Sequence, residues 1–182
     1  MWESAGVDMV DLLLHPVRLR IVHAFAGGRT RTTAELGEHL ADVPKTTLYR
    51  QVGILAAAGL LEVVGEQRVH GAVERTYRLD RARTRISPQE AASMTIDDHR
   101  QGFAAAVGAL LADFSTYLDR PDADPTNDLV GYVQVPVWLS AAEILTMAEQ
   151  VRAMLMSKID NPPGAGRRLY LLSPILFPID QQ

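Results

Sequence analysis

Leu48, Val52 and Leu55 fall at i, i+4 and i+7, an apolar stripe along one side of a helix predicted over residues 45–58. Thr46, Arg50, Gly53 and Ala57 lie roughly opposite, so the outward side is small and polar around one arginine. Upstream, Val7–Leu14 and Pro16–Ala26 read as helices, the second stopped by Gly27-Gly28. Thr32-Thr33-Ala34-Glu35 is a capping box. Its hydroxyl and carboxylate satisfy N–H groups left unpaired in a first helical turn, opening a short helix that ends near Ala41. Pro44 stands where a first turn accepts proline, and Gly59 ends the helix that follows. Leu61–Glu66 and Val73–Leu79 read as strands, with Gln67–Ala72 as their loop and Gly71 free to turn.

The segment Asp80–Pro88 is polar, carries Arg81, Arg83 and Arg85, and ends in Ser87-Pro88, a helix-opening pair. Beyond it the pattern predicts a long helix from Pro88 to about Leu118, then a loop rich in Pro, Asp and Asn over Pro121–Asp128. Tyr132–Leu139 reads as a strand. Ser140-Ala141-Ala142-Glu143 is a second capping box, opening a helix to about Ile159 that Asn161-Pro162-Pro163-Gly164 breaks. Arg168–Phe177 reads as a last strand, and Pro136 and Pro174 make both late strands edge or bulged strands. The fold class is α+β and mostly helical. Residues 1–80 have the order helix, helix, tight turn, helix, hairpin, that of a winged helix-turn-helix, and residues 88–182 combine a long helix with a β-α-β element.

Composition changes this picture in two places. The net charge of −4 is unpromising for a partner of nucleic acid until it is divided. Residues 1–87 carry 12 basic and 10 acidic side chains, a net +2, and residues 88–182 carry 6 and 12, a net −6. A mildly basic module is thus joined to an acidic one. The chain has no cysteine, which removes disulfides, thiolate metal sites and cysteine nucleophiles. No secretory pattern opens the chain and no apolar run nears the ~18 residues of a membrane span, so a cytoplasmic protein is expected. No P-loop, nucleophile elbow, dinucleotide fingerprint or metal motif is present, so neither an enzyme nor a bound cofactor or metal is expected.

The chemistry legible in the helix 45–58 is that of DNA reading. A slim outward side suits the major groove, where Arg50 can bind guanine through two hydrogen bonds. Lys45, Thr46 and Thr47 gather at the N-terminal end, where side chains and backbone N–H groups meet phosphates. Tyr49 lies to one side, within reach of sugar-phosphate or a thymine methyl, and Thr33 opens the bracing helix. Arg68 and His70 sit in the hairpin loop, the place from which a wing meets the backbone or the minor groove. Taken alone, the helix reads as an ordinary amphipathic helix with a solvated face; the capping box, turn and hairpin around it favour DNA. Arg18 and Arg20 read as solvated helix residues or as chains lying over the core, and Arg75 and Arg78 as strand surface. His15 reads as a cap or packing residue at a helix break.

These residues carry a resemblance. His15-Pro16-Val17-Arg18-Leu19-Arg20-Ile21, Thr33-Ala34-Glu35-Leu36, Pro44-Lys45-Thr46-Thr47-Leu48-Tyr49-Arg50-Gln51, Leu55, Ala58-Gly59-Leu60-Leu61 and Gly71–Leu79 follow one another in the order of winged-helix regulators of the arsenic-repressor (ArsR) type. The likeness covers about residues 8–80 and is similar to members with extended C-termini. It implies a homodimer on a near-palindromic operator, usually a repressor released by an effector. Metal-sensing members use Cys and His ligands, and with no cysteine here thiolate sensing is excluded. A winged helix that assembles with proteins and does not bind DNA specifically is the alternative.

In the second half, Ile96, Phe103, Val107, Leu110, Phe114 and Tyr117 follow a heptad-like spacing, a predicted dimer seam. Ala104, Ala105, Gly108, Ala109 and Ala112 thin its flanks, so that another helix could approach closely, and packing against the helix 140–159 is the intramolecular alternative. Tyr132, Trp138, Met147, Met154 and Tyr170 are candidates for the lining of a pocket for a small apolar effector, or are gap-fillers of a core. His99 reads as an interface residue, and the acidic run Asp119–Asp128 as a solvated loop, because its spacing is not that of a calcium loop.

Overall fold

The computed structural model describes residues 9–69, 71–84, 88–164 and 166–179. The chain forms two compact units. One runs to Thr116 and takes in the chain from Leu171 onward; the other is residues 117–170.

The first unit opens with α1 (Met9–Leu13) and α2 (Pro16–Ala24). His15 caps α2: its Nδ1 accepts from the Val17 N–H at 3.2 Å, as a residue at that break should. β1 (Thr30–Thr32), not anticipated from sequence, leads directly into α3 (Thr33–His39). The Thr32 capping box forms in full: Thr32 Oγ1 accepts from Glu35 N–H at 3.2 Å and Glu35 Oε2 accepts from Thr32 N–H at 2.7 Å. α4 (Lys45–Ala57) follows a short turn and ends at Gly59, whose φ of 75° few other residues adopt without strain. β2 (Leu61–Val69) and β3 (Ala72–Leu79) make a hairpin with Val69 opposite Ala72. The loop is therefore two residues long, and Gln67–Val69, expected in it, extend the strand. β1 adds to the far side of β3, giving the antiparallel order β1-β3-β2.

Leu12, Ile21, Phe25, Leu36, Leu40, Leu48, Leu55 and Leu60 are fully buried and form one core with Val52 and Tyr77. Eight such side chains, at about 1.5–3 kcal/mol each, outweigh the modest helical propensity of segments as short as α1 and α3. The order helix, helix, turn, helix, hairpin expected of a winged helix-turn-helix is thus present among the described residues.

Two expectations for the second half are corrected. The helix predicted from 88 to 118 is broken into α5 (Pro88–Ser93) and α6 (Ile96–Leu118). Thr95 caps the latter, with its N–H and hydroxyl donating to Asp98 Oδ2 at 2.8 and 2.7 Å. Part of the small-residue flank of α6 is covered within the chain: Ala105 and Ala109 are buried, Gly102 lies against Leu14 and Gly108 near Pro16, while Ala104 is exposed and Ala112 half-buried. Tyr132–Leu139 and Arg168–Phe177, expected as strands, join no sheet among the described residues, because neither has a strand edge to pair with.

In the unit 117–170, α7 (Ala141–Met156) starts at its own capping box, with Ser140 N–H donating to Glu143 Oε2 at 2.8 Å. Tyr117 donates to Asp128 at 2.8 Å and Arg168 pairs with the same carboxylate. Asp128 is consequently buried, and the acidic run is not uniformly solvated.

Candidate nucleic-acid interface

α4 buries Leu48, Gln51, Val52 and Leu55 and presents Lys45, Thr46, Tyr49, Arg50, Gly53 and Ala57 to solvent. Thr47 is half-buried. The slim side foreseen in the sequence is therefore outward. A Cβ placed on Gly53 would meet nothing within 4 Å, so packing does not require glycine there. Glycine inside a helix costs roughly 1 kcal/mol relative to alanine, and the fold takes nothing in return. What the missing side chain leaves is clearance on the exposed side, one turn from Arg50.

Three residues of the expected contact set stand differently. Thr33 is buried, because capping by Thr32 makes it the first helical residue and turns its side chain inward; it is removed from the set. Arg68 is exposed on β2 opposite Val73, on the strand and not in the loop. His70 lies outside the described residues. Arg75 and Arg78 pair across the hairpin with Glu66 and Glu62 at 2.8 and 3.1 Å, which makes them strand surface.

The residue that sequence reading missed is Arg20. It is 3% exposed, and its guanidinium forks onto Asp42, Nη1 to Oδ2 at 2.6 Å and Nη2 to Oδ1 at 2.8 Å. Nε donates to Asp113 Oδ1 at 2.7 Å, and the other oxygen of Asp113 meets His23 Nδ1 at 3.0 Å. Asp42 sits in the turn between α3 and α4, so one buried cation ties the turn that orients α4 to both α2 and α6. A signal was present: Val17, Arg20, Ile21 and Ala24 share one helical face, and an arginine in the buried register needs carboxylate partners. The Arg20 hydrogen bonds hold Asp42 below the usual carboxylate range. For Asp113 burial pushes upward, but the bonds from His23 and Arg20 prevail and its pKa is lowered.

A second buried contact lies behind α4. His15 Nε2 is 3.5 Å from Gln51 Nε2, and Gln51 Oε1 has no hydrogen-bond partner among the described residues. Since His15 Nδ1 accepts, the neutral ring carries its proton on Nε2 and needs an acceptor; turning the Gln51 amide over supplies Oε1. Burial, then the charges of Arg18 and Arg50, lowers the pKa of His15.

Of the expected seam, Ile96, Phe103 and Val107 are exposed on α6, while Leu110, Phe114 and Tyr117 are half-buried. Phe103 meets Phe177 edge to face with ring centroids 6.1 Å apart. Tyr132, Trp138, Met154 and Tyr170 are exposed and Met147 is half-buried. No helix among the described residues is long and apolar enough to cross a membrane, and no group of three or more metal-ligating side chains occurs there.

Comparison with known proteins agrees with the geometry. No curated protein matches the chain. Residues 13–64, which span α2, α3, α4 and the start of β2, match the family model of the helix-turn-helix domain. The chain carries a helix-turn-helix domain over those residues, followed by a hairpin wing.

Proposed function

We propose that the protein is a DNA-binding transcriptional regulator, a repressor, that acts as a homodimer on a near-palindromic operator. Its role is binding, not turnover, and its place is the cytoplasm. The observation that carries this reading is the exposed, slim side of α4: Arg50 beside an unfilled glycine, with Lys45, Thr46 and Thr47 at the helix start. In this reading Arg50 bonds a guanine edge, Lys45, Thr46, Thr47 and Tyr49 fix the register on the phosphates, and Arg68 with His70 anchors the wing. The resemblance to arsenic-repressor-type regulators supports repression and two-fold symmetry. Titrating the full-length protein against DNA fragments selected by it from a random pool tests the reading. Affinity should fall steeply as salt rises, because bound phosphates release counterions. Arg50→Ala should weaken cognate binding by about 1–3 kcal/mol and relax base preference at one position. Unchanged affinity and preference would reject Arg50.

A winged helix used only for protein contact is favoured by one observation: the hairpin surface is charge-compensated by its Glu62–Arg78 and Glu66–Arg75 pairs. Absence of DNA binding even at low salt would select that reading.

A further inference from the structure

Among the described residues Arg20 makes four hydrogen bonds, two to Asp42 and one each to Asp113 and Thr116. A guanidinium is a rigid plane, so a partner that fixes Nε also fixes the direction in which the fork opens. Both outer partners belong to α6. Asp113 Oδ1 takes Nε at 2.7 Å. Thr116 Oγ1, itself donating to the Ala112 carbonyl at 2.9 Å, accepts from Nη2 at 3.3 Å. The fork then grips Asp42, in the turn that leads into α4. α4 opens at Pro44 with no side-chain cap among the described residues, so the turn holds its first residues. α6 lies close along the start of α2, with Gly108 near Pro16 and with Ala105 and Ala109 buried. Asp113 and Thr116 stand outside residues 13–64, the helix-turn-helix match.

We propose that Asp113 is a positioning residue for DNA reading: from α6 it aims the Arg20 fork, which sets Asp42 and with it the angle at which α4 presents Arg50. The inference rests on the DNA-binding reading above and adds a residue that touches no DNA. Its leverage is geometric. Arg50 lies about 7.5 Å along α4 from Lys45, so a tilt of roughly 5° at the turn moves it by about 0.7 Å, more than the ~0.5 Å a binding constellation tolerates. Without Asp113, Arg20 keeps Asp42 as its one carboxylate partner, and Asp42 is half exposed. The fork and the turn can then swing together without breaking their own two bonds. Attraction between cations and phosphates survives such a swing, whereas a two-bond contact with one base edge does not. Asp113 therefore acts on the preference for cognate over random DNA, and a shift of α6 along α2 reaches α4 through one side chain.

The test titrates full-length protein, at a temperature where each variant is fully folded, against the DNA it selects from a random pool and against random-sequence DNA. Asp113→Ala should weaken cognate binding by about 5–30-fold and random-sequence binding by less than ~2-fold. Asp113→Asn, which keeps an oxygen for Arg20 Nε without the charge, should recover part of that loss. In an Asp42→Ala background, Asp113→Ala should change cognate affinity by less than ~2-fold, because the path through the fork is already cut. Cognate and random binding weakened alike, or losses that simply add in the double variant, overturn the inference and leave the regulator standing. So does unchanged cognate affinity in a folded Asp113→Ala. Should the Asp113 variants not fold, the Arg20 Nε–H signal in the unsubstituted chain decides: it should stay protected from exchange in the DNA complex, and its loss on binding overturns the inference. No DNA binding by the unsubstituted chain even at low salt overturns both.

Discussion

Leu36, Leu48 and Leu55 are entirely buried, while Tyr132, Val133 and Trp138, no less apolar, are almost entirely open. The first group lies on helices whose 3.6-residue spacing gathers apolar side chains on one face, and three such faces close around one core. The second lies on extended chain, where successive side chains point apart and backbone groups seek a neighbouring strand. A helix satisfies its backbone by itself and needs a partner only for its face; an extended segment needs one for both. The winged helix therefore gathers one core, whereas the described residues of 117–170 bury only Asp128.

The sharpest way to break this comparison is to remove the same group from both sides. Leu55→Ala should cost about 2–5 kcal/mol in denaturant unfolding, the loss expected for a leucine deleted from a packed core. Leu145→Ala should leave the winged-helix transition within about 0.5 kcal/mol, because Leu145, on α7, is exposed. Equal losses in a monomeric preparation would mean that the two regions share one core.

Next in size is Arg20→Ala, which should destabilise the winged helix by about 2–3 kcal/mol. The loss is set toward the low end of that for broken buried pairs because Asp42 is half exposed and its charge is screened. Arg20→Lys keeps the charge but loses the fork onto Asp42, and should recover less than half of it. Full recovery would show that charge, not geometry, holds the turn.

The paired capping boxes give a smaller and cleaner contrast. Thr32→Ala should cost about 1 kcal/mol of cooperative stability. Ser140→Ala removes the same two bonds from α7, yet in a dilute monomer it should change helical signal locally without moving the main transition. A main transition shifted equally by both would place α7 in the same cooperative unit.

What sequence could show follows the same physics. Both boxes, the α4 stripe and the Gly59 stop were legible because caps, periodicity and turns act over three or four residues. Thr95 and Asp98 form a third cap, whose spacing was equally available but masked by the expectation of an unbroken helix. Arg20 was visible as a cation on an apolar stripe, but Asp113 is 93 residues away and no local pattern names it. β1 was hidden because three residues carry no period, and its pairing with β3 is a tertiary choice. Tyr132–Leu139 and Arg168–Phe177 have strand composition, yet composition does not supply the neighbour that would make them strands.

The smallest effect is a pH dependence that belongs to the winged helix alone. Burial and the nearby charges of Arg18 and Arg50 favour the neutral form of His15, so its folded pKa lies below the ordinary value of about 6.5. A histidine shifted downward binds fewer protons folded than unfolded, so its contribution is intact above about pH 6.5 and is lost as the pH falls below it. His39, lowered chiefly by burial, adds in the same direction. His15→Asn keeps a capping acceptor for α2 but removes the titration. Thermal unfolding followed from about pH 7.5 to about pH 5.5 should show the unsubstituted chain losing a few degrees more than His15→Asn. Amide exchange in α7 should be indifferent to the substitution, since α7 buries no side chain. Parallel slopes for the two proteins would mean that His15 is solvated when folded and that Gln51 does not hold it.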